Sequence, residues 1–218
     1  MKRRTLDILF SVGGVGLAAL LLVLGVVMTS NANFAKSYVK DQLSQQNITF
    51  KPAAALTEEE AKSACLVQYA GQKLTTGKQA ECYANDFIGL HVQSVANGQT
   101  YADLGAPQQD LQAKVKAATA SNDPALPDLQ KQLTTITTQR ETLFKGETLR
   151  GLLLTSFGFS VFGEKGSQVA TVSFIVAGVL LLLSIAGLFH AFRTPATVPF
   201  AATERVKAEK VNPTLVDA

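Results

Sequence analysis

Two uncharged blocks decide the fold of this chain: ILFSVGGVGLAALLLVLGVVMT at residues 8–29 and GSQVATVSFIVAGVLLLLSIAGLFHAF at residues 166–192. Each is longer than the roughly 20 apolar residues that a helix needs to cross a hydrocarbon core. Helices of soluble proteins usually keep one polar face for water, and neither block offers one. We therefore predict transmembrane helices over residues 8–30 and 166–192. Two buried core helices are the alternative.

The charges beside the blocks predict an orientation. Lys2, Arg3 and Arg4 precede the first block and Arg193 follows the second. Short flanks that are rich in lysine and arginine stay in the cytoplasm. We predict a multi-pass protein of the cell membrane, with a cytoplasmic N-terminus at residues 1–7 and a disordered cytoplasmic tail at residues 193–218.

The first block also has features of a cleavable signal peptide. It has a basic start, and Ser30-Asn31-Ala32 resembles a small-x-small cleavage site. A signal peptide has an apolar region of about 7–15 residues, which is shorter than this block. An uncleaved anchor is the favoured interpretation, and cleavage stays open as the alternative.

Residues 31–165 differ from the spans in composition and are predicted to form an extracytoplasmic helical domain. Between residues 34 and 165 there are 13 Lys or Arg and 13 Asp or Glu, so no basic nucleic-acid-binding face is expected. Capping-box patterns predict helices over 57–70 and 76–96. A further helix is expected over 128–145. The uncharged segment within 147–163 is too short to span, so it is predicted to lie at the membrane surface. A core helix of the domain is the alternative.

The two cysteines lie symmetrically about the expected turn between the first two helices of the domain. Cys65 lies six residues before Gly71, and Cys82 lies six residues after Thr76. In an antiparallel hairpin these positions come level, so a Cys65–Cys82 disulfide is predicted, which suits an oxidising compartment. A metal site and a reactive thiol are the alternatives, and further ligands at suitable spacing are lacking.

Apolar and small residues at helical spacing suggest two contact surfaces. Leu129, Leu133, Ile136 and Leu143 form a narrow seam, with Arg140 in the remaining slot, that suits packing along one partner helix. An ordinary helix pair within the chain is the favoured interpretation, and a surface for a partner, if the seam is exposed, is the alternative. In the spans, two small-xxx-small pairs predict that the helices touch; they are Gly14 with Ala18, and Ser173 with Ala177.

The histidines bear on the possible chemistry. His91 lies in the domain and His190 lies at the predicted inner end of the second span. A facial triad for non-haem iron needs two histidines and a carboxylate together, which this topology denies to a single subunit. No phosphate-binding loop or nucleophile elbow is found. No catalytic residue, metal ligand or cofactor is therefore predicted.

Three stretches carry a resemblance to a known family. They are KRRTLDILFSVGGVGLAALLLVLGV at 2–26, QYAGQKLTTGKQAECYANDFIGLHV at 68–92 and FKGETLRGLLLTSFGF at 144–159. Together they resemble a family of uncharacterised actinobacterial membrane proteins, whose members often carry the label "aromatic ring-opening dioxygenase". The resemblance implies an actinobacterial cell membrane, two spans and an outside domain. It supplies no catalytic residues.

These observations predict an all-α membrane protein in which two transmembrane helices flank an extracytoplasmic, mainly helical domain. The leading hypothesis is a non-enzymatic scaffold, accessory subunit or binding module. Its expected partners are the lipid bilayer and another envelope or membrane protein, or further copies of the chain, and no nucleic acid. A metal-dependent enzyme such as the labelled dioxygenase is the alternative, and a small oligomeric channel is a third hypothesis.

Overall fold

The computed structural model describes residues 2–195, 197 and 198. In this part of the chain, helices account for nearly all of the regular structure and no β-strand forms. The α-helices are α1 (Arg3–Gln45), α2 (Ala64–Tyr69), α3 (Gly77–Cys82), α4 (Gly89–Val95), α5 (Gly105–Ser121) and α6 (Leu126–Arg193), with a π-helical segment at Tyr83–Ile88. The predicted helical class is therefore confirmed. Most of the predicted tail, residue 196 and residues 199–218, lies outside the described residues.

The chain divides into two compact units. The first unit comprises the residues up to Val26 and those from Ala170 onward, and the second is Val27–Val169. Both α1 and α6 contribute residues to each unit. These two helices are also the ones that are long and apolar enough to cross a membrane.

Small side chains form the contact between the two helices in the first unit. A Cβ atom added at Gly14 would overlap the Ser184 hydroxyl, and one added at Gly187 would overlap the hydroxyl of Ser11. Such small residues let two helix backbones approach closely, which increases van der Waals contact. Phe174 lies against Gly25 in this contact, whereas most of the other large apolar residues of both helices are exposed.

Large apolar side chains fill the second unit, in two clusters. The first cluster joins α1 and α6 to the short helices between them and consists of Val39, Leu43, Phe50, Leu66, Leu74, Ala80, Cys82, Ala84, Ile88 and Leu153. The second cluster joins α6 to the end of α4 and the start of α5 and consists of Ala96, Leu104, Ile136 and Leu143. Burial of these side chains is the main stabilising contribution to this unit.

Asparagines end three of the helical segments. Asn47, Asn97 and Asn122 have φ values of 52°, 52° and 51° and follow α1, α4 and α5. The left-handed conformation terminates a helix, and asparagine tolerates it better than other residues with a side chain. Asn97 thus lies directly after residue 96, where the second helix of the domain is predicted to end.

The helix predicted over 57–70 is wrong in its first half. Thr57 and Glu60 do form the reciprocal hydrogen bonds of a capping box, at 2.8 and 3.2 Å. They cap only a 3₁₀ turn at Glu60–Lys62. Ser63 then adopts an extended conformation and caps α2 through a hydrogen bond from Leu66 N to its hydroxyl. Two competing caps divide the segment into two short elements.

The helix predicted over 76–96 has the expected ends and an unexpected middle. Thr76 and Gln79 form the predicted capping box, and α4 ends at Val95. Between α3 and α4 the backbone is π-helical over Tyr83–Ile88. Short π-helical segments occur frequently at functional sites.

The separate elements predicted over 128–145 and 147–163 are also wrong, because α6 continues through both without a break. Leu153 is buried in the first cluster, so the apolar character of this segment is partly used inside the second unit. Gly146 and Gly163 lie where Val92 and Ala35 approach the helix closely. Leu152 and Phe162 of the same segment are exposed, so its location at the membrane surface stays a prediction.

Candidate functional site

The most constrained part of the second unit surrounds its cysteines. Cys65 on α2 and Cys82 at the end of α3 form a disulfide, with their Cα atoms 6.0 Å apart. The sequence separation is 17 residues, so the bond closes the turn that carries Gly71. In the loop-entropy description, such a bond contributes about 3 kcal/mol. The pairing expected from the symmetric spacing is the pairing in the structure.

A polar group lies beside the accessible sulfur of this disulfide. Asp86, from the π-helical segment, places Oδ2 at 3.1 Å from the Sγ atom of Cys65. The same oxygen accepts a hydrogen bond from the Ser63 hydroxyl. Ser63 therefore links the start of α2 to the π-helical segment.

The two sulfurs and the Asp86 carboxylate lie within 4.8 Å of one another, a separation that could suit a metal ion. Thiolates, not disulfide sulfurs, are the usual sulfur ligands for metal ions. In the oxidised form seen here the cluster keeps only one ordinary ligand, the carboxylate. The arrangement favours a structural crosslink over a metal site.

A buried carboxylate forms the second polar cluster of this unit. Glu60 is 1% exposed. Its Oε1 atom accepts a hydrogen bond from Lys51 Nζ at 2.7 Å, and its Oε2 atom accepts one from the backbone N–H of Thr57 at 2.8 Å. Donation from Lys51, and then from Thr57, lowers the pKa of Glu60 below its usual value, against the opposing effect of burial. Glu60 is therefore a stably charged residue.

His91 completes this cluster on the exposed side. Its Nδ1 atom donates to the carbonyl of Phe87 at 2.7 Å, and its Nε2 atom lies 3.5 Å from Oε1 of Glu60. Its ring also stacks on that of Phe87, at 4.5 Å between centroids. Both nitrogens thus face groups of the chain itself.

Nearby aromatic rings close the cluster on its other sides. Tyr83 stacks on Phe87 at 4.6 Å, and the ammonium group of Lys51 lies 5.1 Å from the centre of the Phe87 ring. Burial and the negative charge of Glu60 raise the pKa of Tyr83. The Glu60 carboxylate thus faces both the ammonium group of Lys51 and the imidazole of His91. This arrangement favours a structural role, in which the cluster holds the 51–62 loop against α4.

The predicted seam on α6 faces the interior of the second unit. Ile136 and Leu143 are buried in the second cluster, and Leu133 packs against it. Arg140, in the remaining slot, lies over the ring of Tyr101 at 4.1 Å. Leu129 is half-buried. The seam therefore packs mainly within the chain, and the partner surface expected if it were exposed is not formed at Ile136 and Leu143.

The residues predicted to pack the spans do lie in the helix contact of the first unit. Gly14 faces Ser184, while Ala18, Ser173 and Ala177 are buried. Near the start of α1 and the end of α6, Nδ1 of His190 lies 2.9 Å from a carboxylate oxygen of Asp7.

Sequence reasoning missed most of the span contact, although its signal was present. Small residues recur at heptad spacing in α1 at Ser11, Gly14, Ala18 and Gly25, and in α6 at Ala170, Ser173, Ala177, Ser184, Gly187 and Ala191. This pattern is typical of two helices packed closely along a seam. Glu60 was also missed, because a glutamate in a run of three resembles an exposed first turn.

Comparison of the chain with protein-family models, with curated proteins and with solved structures finds no match.

Proposed function

We propose that this chain is a membrane-anchored binding or scaffold protein whose second unit, Val27–Val169, is an extracytoplasmic helical domain. The observation that carries the proposal is the exposure of large apolar residues on both long helices, among them Phe10, Leu20, Ile175 and Leu182. In water such an apolar surface would be strongly unfavourable, whereas lipid chains cover it without cost.

Two further observations support the extracytoplasmic side for the domain. The lysine and arginine flanks favour cytoplasmic termini, and an even number of spans then places the domain outside. The Cys65–Cys82 disulfide suits an oxidising compartment. The resemblance to actinobacterial two-span proteins supports the same topology and the cell membrane as its location.

A binding or scaffold role is favoured over catalysis by how the polar groups of the second unit are used. Glu60, Lys51 and His91 pair with one another, and the cysteines are crosslinked. His91 is the only histidine in the sequence of this unit, so a facial triad of two histidines and a carboxylate cannot form from it alone. The partner would be another envelope protein or a further copy of the chain.

Labelling of introduced cysteines tests the topology. Thr134→Cys places a thiol on an exposed position of α6, and Lys2→Cys places one at the exposed N-terminal end. A membrane-impermeant maleimide added to intact cells should label the first variant and should label the second only after lysis. The native cysteines are paired and stay unlabelled. The reverse pattern would overturn the orientation, and recovery of the protein in a carbonate-washed soluble fraction would overturn the membrane anchor.

Two measurements test the role. Crosslinking at native expression, followed by mild detergent extraction, should recover a stable complex with a membrane protein. A strictly monomeric protein without a partner would contradict the scaffold role. Stoichiometric iron in the purified protein that is lost in His91→Ala would instead favour the metal-dependent enzyme.

A further inference from the structure

A cleft on the second unit lies apart from the crosslink and from the Glu60 cluster described above. It lies between α4, the loop after it and α6, and its volume is about 510 Å³. This volume lies within the range of small-molecule sites in proteins, roughly 300–1,000 Å³. The partly exposed Val92 supplies apolar surface to the lining, and Asn85, Gln93 and Thr100 supply polar groups.

The charges of the lining form one adjacent pair. Among the described residues that line the cleft, Glu147 carries the negative charge and Arg150 the positive charge. A terminal nitrogen of Arg150 lies 3.4 Å from Oε2 of Glu147, and both side chains are partly exposed. The cleft therefore presents one carboxylate beside one guanidinium, with no net charge.

The guanidinium of Arg150 has hydrogen-bonding capacity to spare. Its second terminal nitrogen donates to Oδ1 of Asn85, also at 3.4 Å. Both distances exceed the usual 2.7–2.9 Å of charge-assisted hydrogen bonds, and a guanidinium offers five N–H donors. Its Nε atom is buried and has no acceptor among the described residues. Because Asn85 accepts through Oδ1, its own N–H₂ donors are left for another group.

The walls of the cleft are held in place without a ligand. On one side, α4 packs on α6 where Gly146 lets Val92 approach. On the other side, Thr100 and Asp103 form reciprocal hydrogen bonds of 2.9 and 3.2 Å. The backbone carbonyl of Tyr101 accepts a hydrogen bond from Arg140 at 3.3 Å. A site fixed in this way loses less conformational entropy when it binds.

We propose that this cleft binds a small zwitterion of the free amino acid class. The α-carboxylate of the ligand would accept hydrogen bonds from Arg150 and Asn85. Its α-ammonium group would donate to Glu147, and an apolar side chain would lie over Val92. A dianion such as inorganic phosphate is disfavoured because Glu147 would repel it, and a simple amine is disfavoured because Arg150 would. The proposal depends neither on the topology nor on a protein partner.

Isothermal titration calorimetry of the full-length chain in lipid nanodiscs tests this site. The first probe is L-leucine, followed by the other standard amino acids one at a time. Two comparators each lack one charged group: 4-methylpentanoate lacks the amine, and 3-methylbutylamine lacks the carboxylate. Saturable binding of an amino acid is expected, with both comparators at least about tenfold weaker, the effect of losing one charge-assisted hydrogen bond.

Variants with matched controls locate the binding. Arg150→Gln and Glu147→Gln should each weaken binding about tenfold or more. Lys145→Gln and Glu141→Gln remove charges of the same sign from an exposed pair on the same helix and should bind as the unmodified chain does. Circular dichroism melting of each variant checks the fold. If one variant unfolds, the titrations of the unmodified chain with 4-methylpentanoate and 3-methylbutylamine still test the proposal.

Three results would overturn the proposal. The first is the absence of a saturable titration with any standard amino acid. The second is equal binding of 4-methylpentanoate or of inorganic phosphate, which would assign the cleft to anions in general. The third is unchanged affinity in folded Arg150→Gln protein. None of these results bears on the cysteine-labelling pattern, so failure of this site and failure of the proposed topology are separable.

Discussion

The two units of this chain use opposite kinds of side chain at their helix contacts. In the first unit, glycine, alanine and serine form most of the contact between α1 and α6, and apart from Phe174 most large apolar residues are exposed. In the second unit, leucine, isoleucine and phenylalanine point inward, and a disulfide and a buried ion pair are added. The same two helices thus reverse their apolar face along their length.

Under the proposed function, this difference reflects what surrounds each part. In water, burial of apolar surface is the main driving force, so large side chains belong inside. Between helices in lipid, that force is missing, and close backbone contact through small residues replaces it. Four experiments test this contrast, beginning with the largest expected effect.

Truncation of one buried and one exposed leucine on α6 tests the contrast directly. Leu143 is 0% exposed and Leu182 is 70% exposed. Leu143→Ala should lower the free energy of unfolding of the second unit by about 2–5 kcal/mol, because it removes buried surface and leaves a cavity. Leu182→Ala should change that free energy by no more than about 0.5 kcal/mol. Chemical denaturation followed by circular dichroism measures both, and equal effects would contradict the contrast.

Removal of the disulfide tests the crosslink as a feature of the second unit alone. Cys65→Ser combined with Cys82→Ser should lower the free energy of unfolding by about 3 kcal/mol, because the unfolded chain regains loop entropy. Reductant should lower the thermal midpoint of the unmodified chain to about that of the double variant. It should leave the thermal midpoint of the double variant unchanged. If reductant has no effect on the unmodified chain, the crosslink does not stabilise the unit.

The buried ion pair makes stability depend on pH. The pKa of Glu60 is lowered in the folded chain from its ordinary value of 4.5. Its stabilisation is therefore complete at pH values above about 4.5 and is lost as the pH falls through the lower folded pKa. Glu60→Gln should lower the free energy of unfolding by about 1.5–3 kcal/mol at pH 7, since a buried charged hydrogen bond is lost.

Thermal midpoints measured between pH 7 and pH 3 check this expectation. The difference between Glu60→Gln and the unmodified chain should shrink on acidification. Glu59→Gln, which alters an exposed neighbour, serves as the control and should remain close to the unmodified chain throughout. A difference that stays constant with pH would rule out the ion pair as its source.

A glycine pair on α1 tests the packing of the first unit. A Cβ at Gly14 would overlap Ser184, whereas one at Gly13 meets nothing within 4 Å. Gly14→Leu should weaken the helix contact by about 1–2 kcal/mol through overpacking, and Gly13→Leu should be neutral. The measurement is the disulfide yield between Ser11→Cys and Gly187→Cys, two positions in close contact. Equal yields with both leucine variants would contradict a contact at Gly14.

Much of the local structure was predictable because its causes lie within a few residues. Thr76 and Gln79 begin a helix as expected, and Asn97-Gly98 ends one. The segment from Thr57 to Ala70 was not predictable, because Ser63 provides a second cap whose hydroxyl also bonds Asp86, 23 residues away. The polar clusters are harder still, since Lys51, Glu60 and His91 come from separate elements.

The sequence by itself determined the helical class and the two long apolar helices, because uncharged runs and capping residues act locally. The symmetric spacing of the two cysteines predicted their pairing, and the structure contains that bond. Only the tertiary structure decided that the α6 seam faces inward, that Glu60 is buried, and that Arg150 and Glu147 meet Asn85 in one cleft. These outcomes depend on contacts between residues far apart in the chain, whose geometry is fixed only once the helices have packed.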